Sequence, residues 1–166
     1  MTAVFVGIGS NRERERRIRE AVAALRRRFG SLRLSPVYES AAVGFSGSPF
    51  YNLVAAFDCD LPARQLLAAL RAIEQACGRD PAAAKFAPRP LDLDLLLYGD
   101  LVLEAPDLRL PRADILTYGF VLKPLADLAP AGRHPVLGRS YADLWAAFDG
   151  AGRELQRVQL PGLMDD

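Results

Sequence analysis

The 166-residue sequence predicts a single domain, spanning residues 1–166, of the α+β class, with an antiparallel sheet and helices packed on it. Two observations lead to this prediction. Short apolar runs with the two-residue period of strands are interspersed with longer segments in which apolar residues recur every three to four positions. Glycine and proline punctuate these runs, and no stretch has the composition of a linker between domains.

Helical periodicity marks two segments in the first half of the chain. Ser10 or Asn11 is expected to cap the first helix, and Gly30 to end it. The second helix is predicted to begin at Pro62 and to end at Gly78. Each has an apolar face, formed by Ile18, Val22, Leu25 and Phe29 in the first and by Leu66, Leu70, Ile73 and Cys77 in the second.

Strands are predicted over residues 3–8, 32–38, 50–58 and 91–98. The second of these is irregular, because its alternation shifts after Pro36. The C-terminal additions are a short edge strand and two helices, predicted over residues 101–103, 120–128 and 140–148. The resulting order, β-α-β-β-α-β, predicts a ferredoxin-like arrangement with two helices on one face of the sheet.

Composition narrows the possible functions. The formal net charge of +1 gives no reason to expect nucleic-acid binding. No apolar run has the roughly 20 residues of a membrane span, and the N-terminus lacks the features of a signal peptide, so a cytoplasmic location is expected. Cys59 and Cys77 lack metal-binding spacing and are predicted to be buried thiols. No apolar stripe is left unassigned that would indicate an obligate protein partner.

The segment APRPLDLDLLLY at residues 87–98 carries the strongest functional signal. Asp92 and Asp94 lie two positions apart on a leucine-rich strand, so both carboxylates are predicted to project from the same face, with Cα atoms about 6.6 Å apart. Two neighbouring negative charges repel each other and require a cation. Arg89 and a divalent metal are the candidates.

A salt-bridged strand end would also explain this pair. Three features favour a site instead: the pair follows a long loop, cationic residues lie in or beside that loop, and aspartate oxygens suit Mg²⁺. The cations are Arg79, Lys85 and Arg89. Carboxylates that hold Mg²⁺ beside arginines recur in phosphoryl transfer, so the residues themselves indicate a nucleotide-dependent transferase.

The sequence resembles the 6-hydroxymethyl-7,8-dihydropterin pyrophosphokinase family. The resemblance rests on the segment KFAPRPLDLDLL at residues 85–96. It is supported by four further segments in the family's order: GSN at 9–11, SPVYES at 35–40, FYNLV at 50–54 and GFVLKPLADLAP at 119–130. It implies transfer of pyrophosphate from ATP to the hydroxymethyl group of a reduced pterin, with release of AMP, as a step of folate biosynthesis.

The resemblance also implies roles for individual residues. Asp92 and Asp94 match the aspartates that bind two magnesium ions, and either, with Asp94 preferred, assists deprotonation of the substrate hydroxyl. The positions implied in catalysis and ATP binding are Glu74, Arg79, Lys85, Arg89, Arg112 and Tyr118. Those implied in pterin binding are Ser40, Val43, Gly44, Phe50, Asn52 and Phe120, with the two phenylalanines stacking on the ring.

Two positions depart from the family's pattern. Arg112 stands where a histidine is usual, and Tyr118 stands where a basic residue is usual. Both changes fall on the ATP side, so a divergent pterin- or nucleotide-binding relative, with another donor or without catalysis, is an alternative. An RNA-binding domain is a weaker alternative, because the aspartate strand would repel phosphates. His134, the only histidine, lies among glycine and proline and is predicted to be a turn residue.

Overall fold

The computed structural model describes residues 1–41, 47–77 and 91–163. The strands are β1 (Thr2–Ser10), β2 (Arg33–Leu34), β3 (Val37–Ser40), β4 (Phe50–Cys59), β5 (Asp92–Tyr98), β6 (Leu103–Glu104), β7 (Arg109–Leu110) and β8 (Gln156–Val158). The helices are α1 (Arg14–Phe29), α2 (Ala63–Ala76), α3 (Asp114–Thr117), α4 (Gly119–Leu128) and α5 (Tyr141–Ala146). In these ranges, no helix combines the length and apolar character needed to cross a membrane.

The main sheet is antiparallel, with strand order β5-β1-β4-β3-β8 and β2 paired with β4. The predicted α+β class is therefore confirmed. The irregular second strand is divided into β2 and β3, as its sequence indicated. Between β2 and β3, the Ser35 side chain takes the place of a backbone partner for β4, because its Oγ accepts a hydrogen bond from Val54 N at 2.8 Å.

Helices cover both faces of the main sheet. On one face α1 and α2 bury Ile18, Leu25 and Leu66 against β1, β4 and β5. On the other face α4 and α5 pack over Val54 and Leu97. Both helical faces predicted from periodicity point inward, although Phe29 and Ile73 are only partly buried. Cys59 and Cys77 are buried free thiols, as expected.

A register shift between β1 and β5 determines which way β5 presents its side chains. The shift falls between Phe5 and Val6, which pair with Leu97 and Leu95. Leu95 therefore packs toward α1 and α2, whereas Leu96 and Leu97 both join the core beneath α4 and α5. An extra residue in one strand produces this local change of side. Asp92 and Asp94 share the second face with Leu96.

Two sequence predictions about local structure are wrong. Neither Ser10 nor Asn11 caps α1: its N-cap is Glu13, a non-glycine residue with a positive φ of 47° and no side-chain capping bond. The Glu13 carboxylate instead pairs with arginines one turn later. The strand expected at 101–103 is not an edge of the main sheet. Leu103 belongs to β6, which pairs with β7 in a separate hairpin.

Candidate functional site

A cleft of about 240 Å³ opens on the sheet face that carries α4. Strands β1, β4 and β5 form its floor, and residues from the start of α4 form one wall. Besides Asp114, the residues that contribute polar or aromatic groups to it are Phe50, Asn52, Asp92, Asp94, Tyr118 and Phe120. These are six of the residues that the sequence predicted for the site, drawn from three separate parts of the chain.

Asp92 and Asp94 line the same cleft, as strand alternation predicted. On the neighbouring strand they lie opposite Gly9 and Gly7, respectively. Neither glycine has a side chain to fill the space in front of the carboxylates. A Cβ at Gly9 would approach the Asn52 Oδ1 atom to 2.8 Å, so a larger residue there would displace the Asn52 amide. The two glycines therefore keep open the floor between the aspartates and Asn52.

The environment of Asp94 disfavours its charge. Desolvation raises the pKa of Asp94, the nearby Arg112 guanidinium opposes that shift, and Asp114 adds to it. Arg112 lies 3.7 Å from Asp94 Oδ1 and donates a closer hydrogen bond of 3.0 Å to Asp114 Oδ2. Arg112 thus offsets the negative charge of Asp94 only in part, and this charge would stabilise a further cation placed beside it.

Glu74, in α2, is hydrogen-bonded to the backbone of β5, the strand that carries Asp92 and Asp94. Its side chain is 1% exposed. Oε2 accepts from Leu93 N at 2.8 Å, and Oε1 accepts from Arg71 at 2.8 Å. Arg71 also donates to Leu93 O at 2.8 Å, so the two side chains occupy both backbone groups of the residue between Asp92 and Asp94. This arrangement satisfies backbone groups at the outer edge of β5, beside which the described part of the chain places no further strand of the main sheet.

The aromatic wall of the cleft is built by α4 and the C-terminal segment. Phe120 stacks on Tyr118 with ring centroids 5.0 Å apart and planes 17° apart. Gly119 N donates to Ala151 O at 2.8 Å, which brings the backbone of Gly152 against the Phe120 ring. A Cβ at Gly152 would lie 2.8 Å from that ring, so glycine is required for this close packing.

On the β4 side of the cleft floor, Asn52 donates from Nδ2 to Ser40 Oγ at 3.2 Å. Ser40 pairs with Phe50 across the β3–β4 ladder, and Asn52 lies two residues beyond Phe50 on the same face. An amide and a hydroxyl thus stand next to an aromatic ring. This combination suits a flat heterocycle that both donates and accepts hydrogen bonds along its edge.

A second cavity, of about 360 Å³, lies beyond the outer edge of β5. It is bounded by α2, β5 and the β6–β7 hairpin, and three arginines line it: Arg71, Arg109 and Arg112. Asp114 lines both cavities. Because Arg112 also approaches Asp94, this carboxylate lies near the place where the two cavities adjoin.

The structure thus brings most of the predicted residues together. Tyr118, predicted on the ATP side, lies in the first cleft beside Phe120, whereas Arg112 lines the second cavity. Val43, Gly44, Arg79, Lys85 and Arg89 lie outside the described residues, and their roles stay predictions. The sequence reading missed several residues that the structure adds to the site: Gly7, Gly9, Arg71 and Asp114. The two-residue spacing of the glycines on a predicted strand was the available signal for the first two.

Comparison with known proteins agrees with this geometry. A family model described as 7,8-dihydro-6-hydroxymethylpterin-pyrophosphokinase (HPPK) matches residues 5–130. The 2-amino-4-hydroxy-6-hydroxymethyldihydropteridine pyrophosphokinase of Pseudomonas aeruginosa is 41% identical over 163 residues, which cover 96% of this chain and 97% of the relative. The enzyme of the same name from Aquifex aeolicus is 33% identical over 138 residues, covering 82% of this chain and 86% of the relative.

Solved structures share the fold. The crystal structure of Plasmodium falciparum HPPK-DHPS with pteroate superposes with a TM-score of 0.72 at 13% identity, over 87% of this chain. The chain spans 42% of that protein and only 19% of the folic acid synthesis protein of Pneumocystis carinii, to which it is 36% identical. Relatives of this domain therefore occur both alone and joined to other enzymes.

Fold, site and relatives together define an enzyme of the pyrophosphokinase class, a transferase that uses ATP as its co-substrate. The chain belongs to the 7,8-dihydro-6-hydroxymethylpterin-pyrophosphokinase family of folate biosynthesis. The resemblance inferred from the sequence is confirmed.

Proposed function

We propose that this pyrophosphokinase transfers the terminal pyrophosphoryl group of ATP to the 6-hydroxymethyl oxygen of 6-hydroxymethyl-7,8-dihydropterin at Asp92 and Asp94. The observation that carries the proposal is the convergence of the two carboxylates with aromatic and amide groups on one cleft. The pterin would lie between Phe50 and Phe120, with its polar edge toward Asn52 and Ser40. The Asn52–Ser40 hydrogen bond holds the amide in place before the substrate arrives.

ATP would occupy the second cavity, with its phosphates directed toward the aspartates. Arg112 supports this assignment, because its guanidinium lines that cavity and lies 3.7 Å from Asp94 Oδ1. A planar guanidinium offers paired donors to phosphate oxygens. Arg79, Lys85 and Arg89, which precede β5 in the sequence, are proposed as further phosphate contacts. Glu74 would act on the nucleotide indirectly, since its oxygens are engaged by Arg71 and Leu93.

Asp92 and Asp94 fit Mg²⁺. No cluster of three or more His, Cys, Asp or Glu side chains that could bind a metal occurs among the described residues. Mg²⁺, however, is usually held by one or two carboxylates together with waters and substrate phosphates. The raised pKa of Asp94, which desolvation causes, is consistent with a place for a cation. We propose two ions, which when bound would neutralise charge on the phosphates.

Transfer forms a bond between the hydroxymethyl oxygen and the β-phosphorus and breaks the bond from that phosphorus to the α-phosphate oxygen, which leaves with AMP. The hydroxyl proton must be accepted by a base, and Asp94 is the preferred candidate of the pair. Desolvation raises the pKa of Asp94, which favours proton uptake by this carboxylate when Mg²⁺ is not coordinated to it. Phe50, Asn52 and Phe120 orient the acceptor, so that proximity supplies part of the rate acceleration.

The finer predictions about the protein fit this proposal. The order β5-β1-β4-β3, with α1 and α2 on one face, supports a ferredoxin-like core to which β8 and helices α3 to α5 are added. We propose that the enzyme acts in the cytoplasm on small-molecule substrates, without nucleic acid, membrane or an obligate protein partner.

Product analysis tests the proposal. Phosphorus NMR of the wild-type protein with ATP, Mg²⁺ and 6-hydroxymethyl-7,8-dihydropterin should show AMP and a pterin diphosphate accumulating in equal amounts. Formation of ADP and a pterin monophosphate, or consumption of ATP that does not depend on the pterin, would contradict the proposed reaction.

A further inference from the structure

Arg14, in the first turn of α1, joins both ends of the segment that connects β3 to β4. Its NH1 group lies 2.8 Å from Glu39 Oε2, near the end of β3. The same nitrogen donates to Pro49 O at 3.2 Å, directly before β4. The guanidinium carbon also lies 3.9 Å from the centroid of the Tyr51 ring. One side chain therefore makes an ion pair, a backbone hydrogen bond and a cation–π contact.

These contacts lie on the sheet face opposite the cleft. Tyr51 packs toward the core beneath α1 and α2, and it pairs with Glu39 across the ladder. The next pair along that ladder, Ser40 and Phe50, carries side chains of the pterin site on the other face. Because side chains alternate along a strand, the residue that fixes Tyr51 also fixes the directions of its neighbours, Phe50 and Asn52.

We propose that Arg14 is a positioning residue for the pterin, which holds the β3–β4 register so that Ser40, Phe50 and Asn52 face the ring. The inference deepens the proposed function and rests on it. Arg14 adds to the support of this ladder, which among the described residues comprises three pairs, from Tyr38↔Asn52 to Ser40↔Phe50. A shift of one residue would turn Phe50 and Asn52 away from the cleft.

The charges and partial burial of the Arg14–Glu39 pair favour this role over that of a surface ion pair. The Arg14 and Glu39 side chains are 27% and 33% exposed, so the pair is partly shielded from solvent. Arg16, two residues along the same helix, offers a contrast. Its side chain is 64% exposed and pairs only with helix neighbours Glu13 and Glu20 in the described part of the chain.

The experiment compares Arg14→Ala with Arg16→Ala as the matched control. Calorimetry measures the Kd of 6-hydroxymethyl-7,8-dihydropterin, and steady-state kinetics measures the KM for ATP. Arg14→Ala should raise the pterin Kd about tenfold, equivalent to about 1.4 kcal/mol, and change the KM for ATP less than about twofold. Arg16→Ala should leave both unchanged. Arg14→Lys should give an intermediate Kd, since an ammonium keeps the charge but loses the planar stack.

Two results would overturn the inference. One is an Arg14→Ala variant that binds the pterin within about twofold of the wild type. The other is an equal rise in pterin Kd and ATP KM, which would indicate a general loss of structure. If Arg14→Ala does not fold, Glu39→Gln, which removes only the ion pair, should still weaken pterin binding and not ATP use. A wild-type protein that binds no reduced pterin would instead contradict the proposed function itself.

Discussion

Replacing Glu74 with alanine is expected to lower the free energy of unfolding by about 1.5–4 kcal/mol. The Leu93 N–H would lose its charged acceptor at 2.8 Å in a buried position, a loss of about 1.5–3 kcal/mol. The pair with Arg71 contributes less, at most about 1 kcal/mol, because the Arg71 side chain is 39% exposed. At about 2–4 °C per kcal/mol for a chain of this size, Tm should fall by about 3–16 °C.

Urea denaturation followed by circular dichroism measures this loss, and Glu104→Ala is its control. The Glu104 side chain is 74% exposed and pairs with Arg109 at 3.3 Å, so its removal should change the free energy of unfolding by less than about 0.5 kcal/mol. Glu74→Gln should fall between the two, because its amide oxygen still accepts from Leu93. An unfolding free energy of Glu74→Ala within about 0.5 kcal/mol of the wild type would refute the reasoning.

Two further predictions concern the cleft and the single histidine. Phe120→Leu should raise the Kd for the reduced pterin by about 2- to 12-fold, the equivalent of one aromatic contact. Tyr118→Phe, which keeps the stacked pair, should leave this Kd unchanged. If calorimetry gives Phe120→Leu the same pterin Kd as the wild type, the pterin does not stack on Phe120. His134 Nδ1 accepts from two backbone N–H groups at 3.2 Å, and burial lowers its pKa below 6.5. The imidazole therefore takes up a proton at a higher pH in the unfolded chain than in the folded one, so the free energy of unfolding should fall as pH drops from about 7 toward 5. Urea titrations at each pH should show that His134→Asn loses this dependence. If the free energy of unfolding of His134→Asn falls with pH as steeply as that of the wild type, another group causes the dependence.

The sequence predicted those parts of the fold that depend on local periodicity. The buried faces of α1 and α2 follow from the helical repeat, and the shared direction of Asp92 and Asp94 follows from strand alternation. His134 as a turn residue also follows from its local surroundings, and the structure confirms it through the hydrogen bonds to its Nδ1 atom. Family resemblance added Phe50, Asn52 and Phe120, which no periodicity would have distinguished from core residues.

Long-range contacts account for what the sequence did not predict. β8 pairs with Val37–Glu39 from more than a hundred positions away, and its own three residues carry no strand pattern. The predicted contact of Glu74 with the nucleotide stays a prediction, whereas its hydrogen bond from Leu93 N, on β5, is a contact that no sequence pattern records. The start of α1 was misplaced because Glu13 adopts a left-handed conformation that normally favours glycine.

The most direct test of the central claim measures AMP formation and pterin affinity in the Asp94→Asn variant. If Asp94 serves the chemistry and the aromatic wall serves binding, AMP formation should fall by about a thousandfold or more while the pterin Kd stays within about threefold of the wild type. Wild-type turnover in Asp94→Asn, or loss of pterin binding in step with loss of turnover, would contradict the assignment of the reaction to the aspartate strand.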